Sequence, residues 1–285
     1  MRTAIALLAL LLVAAPAGPA AAQEGPPPPD TSAFEGWEQW PLIVPDNLDL
    51  DTGALSNQRV VFDGVFGPPG SARPVTMYMD VFEHWFGERP SFWIQWTSSG
   101  NPTGLPEAMG IDALIVDRSD LRILFRIATV GEGVYGLTRH GEDETEHYRI
   151  DLGGDTATPH HLEGGHPAFD FAAFQFLFPF LELEEGSAFR IPNIGQPPDL
   201  LPRELAVRVA GKIDLETAQG EQVEVWDVQV VPAHRRSIIH FYVTQEAPFF
   251  YGWDYLIPSG NATTMRLYDW QPMLARTPPG EPAGD

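Results

Sequence analysis

No cysteine occurs anywhere in the 285 residues. That removes thiol nucleophiles, thiolate metal sites and disulfide bonds from consideration. It also leaves no residue that could carry a lipid at a processing site. Lysine is nearly as scarce. Lys212 is the only one, and 17 Lys+Arg stand against 39 Asp+Glu. A formal charge of −22 repels phosphate backbones and anionic headgroups, so no nucleic-acid partner and no anionic membrane surface are expected. What is plentiful is apolar: 44% hydrophobic and 11% aromatic content exclude a disordered chain. The 27 glycines and 28 prolines follow no triplet period, which excludes collagen.

The one long apolar run, Ala4 to Ala15, follows Arg2 and precedes small residues that include Ala20 and Ala22. This is the pattern of a secretory signal peptide over 1–22, cleaved after Ala22, and the run is too short for a membrane span. Export without cysteine, with arginine carrying almost all the basic charge, points to a bacterial periplasm or medium. Four consecutive prolines, Pro26 to Pro29, make 23–40 read as an extended tether. The Pro/Gly-rich residues 276–285 read as a disordered tail. A single β-rich domain over 41–275 is left between them.

Within it, short β-prone runs alternate with turn signals. Val75, Met77, Met79 and Val81 alternate with polar neighbours, the period of a strand with one buried face. Similar runs lie at 59–66, 92–96, 113–116, 121–130, 134–140, 146–152, 205–213, 222–231, 237–244 and 264–270. Many short strands without long helical patterns predict an all-β, mainly antiparallel fold. The expected form is an up-and-down β-barrel or a strongly curved half-barrel sheet. One interruption, Ala168 to Leu181, predicts an apolar helix. Asp170 suits its N-cap and Pro179 its end, although Phe174, Phe176, Phe178 and Phe180 also alternate as a strand buried on both faces would. As a helix it is apolar nearly all round and must be covered on every side.

A resemblance follows from these residues. Phe169-Asp170, Leu181 to Gly186, Val207 to Gly211, Val225 to Val228, Phe241 to Thr244 and Ala247 to Phe249 occur in order, after a hairpin at Leu114 to Asp117 and Leu121. The chain in this region resembles the secreted bacterial family called domain of unknown function 3108. The resemblance implies one exported, envelope-associated β-sheet or half-barrel domain without an established catalytic residue. It transfers no site. The basic segments of some members have no counterpart here.

Motifs with chemistry are few. His160, His161 and His166 with Glu163 could hold zinc or copper, but Gly164-Gly165 breaks any helix that would bring them to one face. The expected setting is a loop between strand and helix. Gly131-Glu132-Gly133-Val134-Tyr135-Gly136 matches a dinucleotide fingerprint in letters only. A strand follows instead of a helix, so a hairpin turn and no cofactor are expected. Glu142 to Glu146 lacks the ligand ladder of a calcium loop. Glu83, His84 and Glu88 could form an acid/base group if the fold brings them together. Trp93, Trp96 and the run Phe249 to Tyr255 are either core or an aromatic binding surface. The expected function is thus a non-enzymatic exported β-domain. Its concave face, at Phe174, Phe176 and Phe178, takes an apolar or amphipathic small molecule, or an envelope protein docks there. The alternatives are a metal-dependent hydrolase using His160, His161 and His166, and a purely structural envelope module.

Overall fold

Alternation in sequence becomes alternation in burial. In the strand Arg73–Phe86 the residues Val75, Met77, Met79 and Val81 are all buried while their neighbours are half-exposed. The computed structural model describes residues 29–273 apart from 56, 68–69, 100–111, 132–133, 142–143, 152–157, 164–167, 195–202, 233–236 and 259. The expected signal peptide at 1–22 and the tail at 276–285 lie outside the described residues.

Eight strands come first: β1 (Gln58–Phe66), β2 (Arg73–Phe86), β3 (Arg89–Ser99), β4 (Asp112–Asp117), β5 (Ile123–Gly131), β6 (Val134–His140), β7 (Glu144–Asp151) and β8 (Thr158–Glu163). Six follow a helical interruption: β9 (Ala188–Asn193), β10 (Arg203–Glu216), β11 (Gln222–Pro232), β12 (Ile238–Val243), β13 (Phe250–Ile257) and β14 (Gly260–Pro272). All pair antiparallel in one sheet of 14 strands, ordered β8-β7-β6-β5-β4-β3-β2-β1-β14-β13-β12-β11-β10-β9. Two meanders are therefore joined where the first strand meets the last. Among the described residues β8 and β9 do not pair with each other, so strand pairing does not close a barrel.

The sheet nevertheless curls. Ala168 O accepts from Ile123 N of β5 at 3.3 Å, and the next residue, Phe169, exchanges hydrogen bonds with Pro192 and Ile194 beside β9 at 3.0 and 2.9 Å. β5 and β9 are ten places apart in the strand order, which in a flat sheet is roughly 48 Å at the usual strand spacing. A dipeptide spans that separation only if the sheet bends round on itself. Glycines permit the bend beside β14. A Cβ on Gly64 would lie 1.9 Å from Thr264 O, and one on Gly252 (φ +139°) 2.0 Å from Met265 O.

The interruption is helical, as one of the two sequence readings has it. A 3₁₀ turn at Phe171–Ala173, an α turn at Phe174–Leu177 and a 3₁₀ turn at Phe178–Phe180 follow one another. Asp170 caps the start, its Oδ1 accepting from Ala172 N at 2.8 Å. Pro179 sits inside the last turn, and the backbone turns extended at Leu181, two residues later. Phe174, Phe176 and Phe178 have no exposed surface. Phe178 and Phe241 meet edge to face at 5.4 Å, which ties the segment to β12.

The span expected as a tether differs in its described part. Residues 32–34 and 37–39 form 3₁₀ turns, and Phe34 is buried against Ala206, Val231 and Ile238 with Trp37 and Trp40 around it. Three aromatic rings in seven residues outweigh the extended preference of the prolines before them. The chain then runs along β9, with Ile43 N bonded to Arg190 O at 2.8 Å and Arg190 N to Pro41 O at 2.7 Å. This covers an edge that would otherwise present unpaired backbone groups. Leu50 N reaches Ser119 O at 2.9 Å, and Thr52 Oγ1 donates to Arg118 O at 2.6 Å, so the same segment crosses from β9 to the β4–β5 turn.

Candidate functional site

Where the helical segment leaves the sheet uncovered, the inner face holds a cavity. Phe66, Val75, Met77 and Trp96 line it from β1, β2 and β3; Phe241, Trp253, Thr263 and Met265 line it from β12, β13 and β14; Phe171, Ala172 and Gln175 close it from the helical segment. It is a slot open to solvent, and its volume with that open space included is about 570 Å³. Phe250 stacks on Trp253 with 5.7 Å between ring centres, which fixes that wall.

Two polar groups interrupt the apolar lining. Gln175 is buried, its Nε2 donating to Ala172 O at 2.9 Å and lying 3.0 Å from Met79 Sδ. Thr263 is 4% exposed and its Oγ1 has no hydrogen-bond partner. Of the rings singled out in the sequence, Phe174, Phe176 and Phe178 lie in the packed core, and Phe171, one turn earlier, faces the cavity. The run of rings marked the segment; only the phase of its helical turns decides which ring meets open space.

Next to the cavity lies a cluster of charge. Arg126 on β5 extends inward and donates through Nη1 to Asp170 at 2.5 Å and through Nη2 to Asp112 at 2.9 Å. Burial works against its charge, but the two carboxylates hold the guanidinium above its ordinary value. Burial raises Asp112, with Arg126 opposing and Asp170 reinforcing the shift. Burial pushes the His140 imidazole down to about 4, against the attraction of Asp170. Asp112 Oδ1, Arg126 Nε and His140 Nε2 are buried without hydrogen-bond partners. Thr138, Thr145 and His147 continue this polar surface over β6 and β7, with Thr138 Oγ1 and His147 Nδ1 3.0 Å apart. The cluster adjoins the cavity twice. Asp112 stands directly opposite Trp96 in the β3–β4 register, and Asp170 caps the turn that carries Phe171 and Ala172.

The other candidates disperse. His160 and His161 are consecutive residues of β8, opposite His147 and Glu146 of β7, and not a loop as expected. His166 lies outside the described residues. Among the described residues no group of three or more His, Asp or Glu is placed to hold a metal. Gly131 pairs with Val134, and Gly136 with Ala128, so the described residues of the glycine motif belong to the paired strands β5 and β6. Glu83 pairs with Arg118 at 3.3 Å, whereas His84, the next residue on β2, packs edge-on against Trp93, and burial lowers its pKa. They do not converge.

An Asp227–His240 pair at 2.9 Å and a Tyr242–Asp254–Arg266 chain with contacts of 2.7 and 2.8 Å have the residue types of acid/base chemistry. Burial raises Tyr242, with Asp254 adding to it; Arg266 holds Asp254 low despite burial. His240 and Tyr242 flank the cavity residue Phe241 on β12, so they belong to the outer face and cannot reach what the cavity holds. This network clamps four strands from outside. Comparison of the chain with family models, curated proteins and solved structures returns no match in any of the three.

Proposed function

We propose that this chain is an exported, non-enzymatic β-domain that holds an apolar or amphipathic small molecule between its sheet and its Phe-rich helical segment. The curled sheet acts as a half-barrel, and the segment at 171–180 is its inner wall. The observation that carries the reading is the cavity itself: aromatic and thioether side chains from six strands converge on a space that the segment leaves unfilled. Close packing is the rule in protein interiors, and concave apolar spaces with a few polar groups are where small molecules bind. Export belongs to the same reading, and predicts Gln23 as the first residue of secreted protein.

The neutral fluorophore N-phenyl-1-naphthylamine tests binding. Trp96 and Trp253 line the cavity and should transfer energy to it in a saturable, one-to-one titration. Ala172→Leu, which extends a side chain into the slot, should abolish uptake while leaving the fold intact. No uptake by the native protein, or equal uptake by Ala172→Leu, would leave only a packed structural module.

A further inference from the structure

On the strength of that reading, we propose that the cavity selects uncharged amphiphiles whose polar group is a hydroxyl or carbonyl oxygen, and discriminates against carboxylates and phosphates. Thr263 supplies the positive half of the argument. The residue, 4% exposed, lines the cavity, and its hydroxyl is buried without a partner. A buried hydroxyl left unpaired is a standing cost that an incoming oxygen removes. Both an alcohol and a carbonyl satisfy it, since the threonine hydroxyl donates and accepts. Gln175 presents an amide in the same wall, its orientation fixed by Ala172 O and Met79 Sδ.

Electrostatics supplies the negative half. None of the residues lining the cavity is charged. The adjoining cation, Arg126, is already bonded to Asp112 and Asp170, so two carboxylates outnumber it beside Trp96 and Phe171. An anionic head would lose its water among aromatic rings and meet a negative field without a counter-charge. An ammonium would be attracted by that field but would find no carboxylate in the wall and could not satisfy Thr263 as an acceptor does. The slot therefore suits a chain with a neutral oxygen, such as a long-chain alcohol, ester or ketone.

A matched set of fluorescent polyenes, cis-parinaryl alcohol, cis-parinarate at pH 8 and cis-parinarylamine, tests this by energy transfer from tryptophan. The alcohol is expected to bind at least about tenfold more tightly than the carboxylate or the amine. Thr263→Val, which keeps the shape and removes the hydroxyl, should weaken the alcohol about five- to tenfold and leave the carboxylate unchanged; Thr263→Ser should restore the alcohol. Equal or tighter binding of the carboxylate or amine overturns the proposal, and so does an unchanged alcohol affinity in folded Thr263→Val. The comparison of the three probes on the native protein decides the matter even if the valine variant fails to fold. If neither these probes nor the naphthylamine bind, the binding function itself fails. If the naphthylamine binds and the three polyenes do not differ, only the selectivity fails.

Discussion

The two sides of the inner face solve the same burial problem with opposite chemistry. From β10 round to β3 the sheet meets the helical segment with Val, Ile, Phe and Met, and fits them ring against ring. From β5 to β7 it presents Arg126, Thr138, Thr145 and His147, all buried. The apolar side is held by area removed from water, a term that tolerates imperfect shape and so tolerates a cavity. The polar side is held by specific partners, and every atom without one is a liability. A slot for apolar ligands therefore sits on the first side, at the border with the second, where Asp170 ends one regime and Phe171 begins the other.

Breaking the polar side should have the largest effect. Arg126→Met leaves two buried carboxylates facing each other, and should cost about 3–5 kcal/mol in denaturant unfolding. A loss under about 1 kcal/mol would show that water already reaches the cluster. On the apolar side the penalty should depend on position. Phe178→Ala, in the packed core, should cost about 3–4 kcal/mol, whereas Phe171→Ala, beside open space, should cost about 1–2 kcal/mol and reduce probe uptake. Equal costs at both positions would erase the distinction between core and cavity lining.

Acid sharpens the contrast further. His140 is held near 4 in the folded protein, below the ordinary 6.5, so the unfolded chain binds its proton first as pH falls. Its contribution is present above pH 6.5 and is lost as pH drops towards 4, on the order of 2–3 kcal/mol over that window. Asp112, raised by burial, acts in the opposite sense, relieving a cost once it protonates. Melting temperatures of the native protein and His140→Gln across pH 4 to 7 measure the difference: the variant's profile should be flatter. The apolar side should show no such window. Smallest of all, Arg59→Ala removes an exposed outer-face pair with Asp80 and should shift stability by less than about 1 kcal/mol.

Much of this was legible beforehand, and the reasons differ by region. Strands with one buried face announced themselves through alternation, as at Val75 to Val81, and Asp170 announced the helical start because a cap is a local requirement. β8, β9 and β13 were not announced. Phe189 and Ile191 are two apolar positions in a run containing Arg190 and Pro192, and Gly252 interrupts β13 at the point where only a glycine fits beside Met265. The cavity left a fainter trace. Thr263 and Gln175 are ordinary residues until distant strands are brought round them. Arg126, a charge at an inward position of a strand, was the readable sign of the buried cluster, and its partner Asp170 lies 44 positions away.

The seam between the two meanders has a consequence in time. Gln58 faces Pro272, and Val60 faces Trp270, so the middle of the sheet is its most distant pairing along the chain. Every other strand contact within a meander forms between neighbours through a turn or short connection, but β1 must wait for β14. Assembly is therefore ordered: each meander can gather itself early, and the long closure that joins them is slow. Until it happens the inner face is split down its length, with the cavity residues Phe66 and Met265 on separate halves. A variant that weakens the β1–β14 seam is therefore expected to show a lag between the appearance of strand signal and the onset of probe uptake during refolding; simultaneous onset would show that the seam forms together with the meanders.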